Sequence, residues 1–303
     1  MSKELKGSLM VLIAGSAWGI SGVSGQYLMS HGVSVNLLTS LRLLISGIIL
    51  IAIVAFQQPK ELKKAVRSKS FVLPTIMFSI FGLVMNQYAY LQAINHTNAG
   101  TATVLQYMTP VLILALVCLK NRTLPTTVEV GAIILAIAGT FIMSTHGKIG
   151  SLAITPLGLF WGLGSAVTYA AYILIPVKVI REWGSLVTIG SAMLIGGVTF
   201  SLVTRAWTLS TSLDAKILLA YFGIIGVGTV FAYTIFLMGV TMIGAVKGSL
   251  LASIEPVASV ILTVLIMGAH FYLSDFLGML CILMAVLLIS LKDLVATSKM
   301  SKN

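Results

Sequence analysis

A lysine, a glutamate and a proline interrupt one apolar stretch, Gly244-Ala245-Val246-Lys247-Gly248-Ser249-Leu250-Leu251-Ala252-Ser253-Ile254-Glu255-Pro256-Val257. Ionisable groups inside a bilayer cost roughly 2.5–3.5 kcal/mol each on insertion scales and usually face a protein interior or a wet cavity. Glu255 and Lys247 are therefore the candidates for coupling chemistry. Glu255 is about 12 Å beyond Lys247 along a helix that rises 1.5 Å per residue, too deep to snorkel easily, whereas Lys247 near the membrane surface can serve as an anchor. The carboxyl group allows two roles: proton exchange in a transport cycle, or an interhelical hydrogen bond that fixes the helix. Its position, about 60° round the helix from Ala252 and at the border of a polar face, favours the second role.

A fainter copy precedes it: Asn98-Ala99-Gly100-Thr101-Ala102-Thr103-Val104-Leu105-Gln106-Tyr107-Met108-Thr109-Pro110-Val111. Thr103, Gln106, Tyr107 and Pro110 follow i, i+3, i+4, i+7 and share one helical face. Ser249, Ala252, Ser253 and Pro256 hold the corresponding places in the later stretch. Proline removes a backbone hydrogen bond, so kinks are expected at Pro110 and Pro256, with freed carbonyls near Met108 or Ala252 open to a ligand or water. Two further groups could line a cavity. One is the stripe Trp161, Ser165, Thr168, Tyr169 and Tyr172; the other is Asn86 with Tyr90. Hydroxyls and amides in lipid need partners, which favours a shared polar interior. Arg42 is assigned a structural use, snorkelling outward or holding backbone carbonyls. Gly15/Gly19, Gly158/Gly162 and Gly244/Gly248 read as small-residue pairs for close helix packing.

The elements that carry these residues must cross a membrane. The chain has 303 residues, 58% hydrophobic and 9% charged, with a mean hydropathy of +1.05; a soluble domain would be about 25% charged. Ten apolar spans are expected at roughly 7–27, 35–57, 71–93, 99–119, 127–145, 152–177, 186–204, 215–238, 246–267 and 275–291, each close to the 20 residues that cross a bilayer. The first is long enough to be a retained helix and not a cleaved leader. The net charge of +11 falls between the spans. It therefore reads as a topology signal and not as a nucleic-acid surface, and it places both termini in the cytoplasm, with Lys60, Lys63, Lys64, Arg67 and Lys69 as its strongest loop.

One offset organises the whole. Adding 146 carries Gly82 onto Gly228, Leu91 onto Leu237, Ala99 onto Ala245, Leu105 onto Leu251 and Pro110 onto Pro256. The expected fold is thus an all-α integral membrane protein of ten transmembrane helices, built as two inverted five-helix repeats over residues 1–146 and 147–303. Secondary transporters made this way keep their substrate site near the midplane.

The order Trp18-Gly19, Leu41-Arg42-Leu43, small residues before Pro110-Val111, and Ile254-Glu255-Pro256-Val257 resembles the EamA family of the drug/metabolite transporter superfamily, over nearly the whole chain. The resemblance implies a ten-helix exporter of amino acids or other small metabolites with a central cavity, and Trp18 joins the cavity candidates. Lys120-Asn121-Arg122 and Gly268-Ala269-His270 stand where the family often has a Gly-Glu pair, so no role of those glutamates carries over. The expected function is a secondary active transporter of the plasma membrane, exporting small metabolites by alternating access, with proton coupling as an option. The alternatives are an exporter of amphipathic drugs or a channel-like facilitator.

An intramembrane enzyme is disfavoured, because Glu255 has no acidic companion at its depth and His31, His96, His146 and His270 fall at helix ends or loops. No G-x-x-x-x-G-K-[ST] motif is present for nucleotide binding. Cys118 and Cys281 sit within apolar runs as packing residues. The expected partners are a small-molecule substrate and the lipid bilayer, without nucleic acid, metal, cofactor or catalytic residue.

Overall fold

The computed structural model describes residues 3–122, 124–145, 154–211, 214–244, 248 and 251–300. Its helices are α1 (Lys3–Ser30), α2 (Val35–Gln57), α3 (Lys69–His96), α4 in two pieces (Ala99–Gln106 and Thr109–Asn121), α5 (Thr127–Thr145), α6 (Pro156–Trp183), α7 (Ser185–Thr204), α8 (Ala215–Ile243), α9 (Ile254–Met267) and α10 (Leu273–Met300). Eight of them, α1 to α8, are long and apolar enough to cross a membrane; α9 and the apolar part of α10, Leu273–Ile289, are shorter. The described residues contain no strand. The expected ninth span, 246–267, begins among residues outside those described.

Polar side chains set the helix starts. Ser34, Asn98, Thr155 and Asp214 each accept a hydrogen bond from the backbone N–H three residues on, capping α2, α4, α6 and α8. Gly244, at φ +87°, ends α8, a left-handed conformation that glycine adopts without strain. The Gly244/Gly248 spacing predicts a packing role for Gly244. In the structure nothing lies near enough to meet a side chain there.

The helices pack in a definite pattern. α2 crosses α7, α5 lies along α10, and α4 meets α9. α1 packs on α8 and α9, while α6 packs on α3 and α4. Lipid provides no hydrophobic drive between helices, so close van der Waals approach and interhelical hydrogen bonds hold them. At the α2–α7 crossing, a Cβ on Gly47 would lie 2.4 Å from the backbone nitrogen of Leu194, and one on Gly197 would lie 2.4 Å from that of Leu44. Leu202, Val203, Leu218 and Leu219 face outward, as a lipid-facing surface requires.

Two helices depart from α geometry. α3 contains Pro74 and a π-helical turn over Phe78–Val84, and α8 contains a longer one over Phe222–Phe231. Gly82 and Gly228, related by the offset of 146, lie in these two segments. Neighbouring backbone presses on both glycines: a Cβ would lie 3.3 Å from the Tyr172 Cα on α6 at Gly82 and 3.0 Å from the Ser21 Cα on α1 at Gly228. The wider i→i+5 turn is a frequent feature of functional sites.

Candidate functional site

The two proline-bearing stretches meet inside the bundle. Pro110 lies in the first turn of the second piece of α4 and Pro256 in the first turn of α9. There the missing N–H would have no intrahelical partner anyway, so each proline starts a new helical segment instead of kinking a continuous one. The carbonyls they release are those of Gln106 and Ala252, four residues earlier. The Gln106 carbonyl accepts from Thr109 Oγ1 at 2.6 Å, and the Ala252 carbonyl from the hydroxyl of Tyr107 at 3.0 Å. The sequence expectation of open carbonyls is thus corrected: both are capped by side chains, and Met108 O accepts from Leu112 N as in any helix.

Tyr107 also reaches Glu255, its hydroxyl lying 3.1 Å from Oε2. One phenol therefore ties α4 to α9 through both a backbone carbonyl and a carboxyl group. Beside it, Gln106 Nε2 donates to Asn86 Oδ1 on α3 at 3.1 Å. Thr103 Oγ1 lies 2.7 Å from the Tyr90 hydroxyl and 3.2 Å from Ser259 Oγ, joining α3, α4 and α9. The polar face read as Thr103, Gln106 and Tyr107 is the face on which these helices converge, and all three residues are buried.

An aromatic wall adjoins this network. Trp18 on α1 lies against Tyr233 and Phe236 on α8, with ring centroids 5.5 and 5.0 Å apart. The Tyr233 hydroxyl is 3.3 Å from that of Tyr172, which stacks on Tyr169 and also meets Phe78. Trp18, Tyr169, Tyr172, Tyr233 and Glu255 are each partly buried. Ser253, half-buried, stands at the start of α9.

Arg42, given a structural use from the sequence, is also buried. Its side chain neither snorkels nor holds carbonyls: it is 5% exposed, and Nε donates to Thr229 Oγ1 at 3.1 Å. Thr229 sits in the π-helical segment of α8 and donates in turn to Ile224 O at 2.8 Å. Arg42 and Glu255 act electrostatically on each other and on the same two tyrosines, Tyr90 and Tyr233. The cost argument applied to Glu255 would have flagged Arg42 from sequence, since it lies about 10 Å into its span.

Not every candidate comes to this centre. Trp161 packs edge-on against Tyr88, at 5.7 Å between centroids. It lies about 12 Å along α6 from Tyr169, so periodicity had placed the two on one face without separating their depths. Lys247 and His146 lie outside the described residues. Two surface concavities lie elsewhere: one of about 430 Å³ beside Lys60, Lys63, Lys64 and Arg67, the other an apolar groove of about 310 Å³ between α1 and α8. No group of three His, Cys, Asp or Glu side chains suited to a metal ion occurs among the described residues.

A helical membrane protein with a buried polar and aromatic centre can hold a polar solute within the bilayer. The chain belongs to the EamA-like transporter family, whose model matches residues 5–145 and again 156–291. It is 36% identical over 292 residues, 96% of this chain and 97% of the relative, to the uncharacterized inner membrane transporter YicL of Salmonella typhimurium. It is also 26% identical over 292 residues to the uncharacterized transporter YetK of Bacillus subtilis, covering 93% of this chain and 86% of that one. A solved crystal structure superposes with a TM-score of 0.60 at 19% identity, over 96% of each chain; that likeness supports the fold alone.

Proposed function

We propose that this protein is a secondary active transporter that exports small metabolites such as amino acids by alternating access, with proton coupling through Glu255. The observation that carries the reading is the Tyr107 hydroxyl between Ala252 O and Glu255. A phenol has a single hydrogen to donate. With Glu255 ionised, that hydrogen is divided between two acceptors. With Glu255 protonated, its own O–H donates to the phenol oxygen and the Tyr107 hydrogen goes wholly to Ala252 O. Protonation thereby changes how tightly α4 and α9 are joined, which is the kind of differential contact that biases two conformational states.

The cycle rests on a ten-helix frame of two inverted five-helix repeats, residues 1–146 and 147–303, both termini cytoplasmic. Three features support that frame. An offset of 146 relates the two proline breaks and places Gly82 and Gly228 in the two π-helical segments. The packing has matching partners, α1 on α8 and α9 as α6 on α3 and α4, with α2–α7, α4–α9 and α5–α10 paired across. The family model matches the chain twice. Rocking of such repeats opens a midplane site to each side in turn. The aromatic wall of Trp18, Tyr169, Tyr172 and Tyr233, with Asn86, Tyr90 and Gln106 nearby, is the substrate site of this reading. Its aromatic lining, with hydroxyl and amide groups and few charges, suits small zwitterions such as amino acids.

The test is counterflow in reconstituted vesicles preloaded with unlabelled amino acid. Saturable uptake of the labelled solute against its gradient is expected. Flux linear in concentration and without counterflow would instead indicate a channel-like facilitator, and exchange restricted to amphipathic dyes a drug exporter.

A further inference from the structure

We propose that Arg42 is the anchor for a carboxylate on the transported solute, so that the site selects small monocarboxylates, amino acids among them. The inference rests on the transporter reading and specifies its substrate class.

A guanidinium carries five N–H donors, and Arg42 uses one, from Nε to Thr229. Nη1 is fully buried and has no acceptor among the described residues. No carboxylate pairs with Arg42 within ion-pair distance among those residues, and Glu255 bonds to Tyr107 instead. A buried cation whose donors are unmet is strongly unfavourable. Arginine is also the residue whose planar fork matches a carboxylate through two parallel hydrogen bonds. Thr229 holds the Nε edge in place and is itself held by the Ile224 carbonyl, so the Nη groups are oriented before any ligand arrives.

The surroundings select among anions. Arg42 is the buried cation among the described residues, and Glu255 is near enough to act on it electrostatically. A phosphate dianion would meet one positive charge and a nearby carboxyl group. A monocarboxylate needs one positive charge only. A zwitterion goes further, placing its carboxylate on Arg42 and its ammonium toward Glu255 and the faces of Tyr169 and Tyr172, where cation–π attraction adds to the charge.

The experiment is direct binding to the full-length protein in nanodiscs. The probes are the L-amino acids, short-chain 2-oxo acids and fatty acids, each beside its primary amide, with inorganic phosphate and glycerol phosphate as further arms. At least one acid should bind at least tenfold more tightly than its amide, and Arg42→Gln should remove that preference while Arg42→Lys retains part of it. Equal affinity for acid and amide, failure of every acid to bind, or tighter binding of the phosphates overturns the proposal. Should Arg42→Gln not fold, the acid–amide comparison in the unmodified protein still decides. Acid binding without counterflow of any bound acid would count against the transporter reading alone, whereas saturable counterflow with no preference for acids would count against the role of Arg42 alone.

Discussion

At the break in α4, the carbonyl released by Pro110 is satisfied from three residues away in the same turn: Thr109, immediately before the proline, donates to Gln106 O and also lies 2.9 Å from Ala166 O on α6. At the break in α9, the residue immediately before the proline is Glu255, and an ionised carboxylate has no hydrogen to donate. The Ala252 carbonyl must therefore be capped from elsewhere, and Tyr107 of α4 supplies the bond. The offset of 146 makes Thr109 and Glu255 counterparts. Exchanging a hydroxyl for a carboxyl turns a break whose carbonyl is capped from within its own turn into one whose carbonyl is capped by a neighbouring helix. A bond between helices can be made and broken in a conformational cycle. A bond within one turn is part of the scaffold.

The largest effect is expected where that difference is removed. Tyr107→Phe leaves a buried carbonyl and a carboxyl group without their donor, and should lower stability by about 1.5–3 kcal/mol, the range for hydrogen bonds involving charged groups. In a Glu255→Thr background the new hydroxyl can cap Ala252 O as Thr109 caps Gln106 O. There Tyr107→Phe should cost markedly less, with a coupling energy of about 1 kcal/mol or more, read by equilibrium unfolding in mixed micelles. Additive losses would mean that the two breaks do not differ in the way described.

Thr109→Val is the next largest, at about 1–2 kcal/mol, because Gln106 O loses its donor. The loss should appear in stability while the pH response of transport is kept. A changed pH response would show that both breaks take part in coupling. Ser259→Ala removes a 3.2 Å contact with Thr103, whose hydroxyl keeps its bond to Ala99 O; about 0.5–1 kcal/mol is expected. The smallest effect belongs to the remote pair of Glu129, in the first turn of α5, and Lys292 on α10. Breaking it with Glu129→Gln should change stability by about 1 kcal/mol or less, as for partly exposed ion pairs, and should leave transport unchanged.

Much of this was legible in the sequence, because a bilayer imposes a simple grammar. Apolar runs and the loops between them located the helices, and prolines shared by the offset marked the two breaks. The face formed by Thr103, Gln106 and Tyr107 followed from helical periodicity. Periodicity reports angle within one helix and says nothing about which helix stands opposite, so the Tyr107–Glu255 bond was out of reach. Trp161 was joined to Tyr169 and Tyr172 by face alone, although eight residues of helical rise already set it about 12 Å from Tyr169; its partner Tyr88 was out of reach. Arg42 was misjudged because a position near one end of a span suggested snorkelling, whereas α2 turns it inward to Thr229 on α8. The π-helical turns had only Gly82 and Gly228 to announce them, and a glycine pair does not distinguish a widened turn from ordinary close packing.

The central claim is that the proton state of Glu255 governs the joint between α4 and α9. Its most direct test is solute counterflow through Glu255→Gln in reconstituted vesicles, with and without an imposed pH gradient. A glutamine amide keeps the size of the side chain and can donate to the Tyr107 oxygen, as the protonated carboxyl does, but it cannot lose a proton. The account predicts that exchange at equal pH persists while the pH gradient no longer drives accumulation. An unchanged response to the gradient would contradict it.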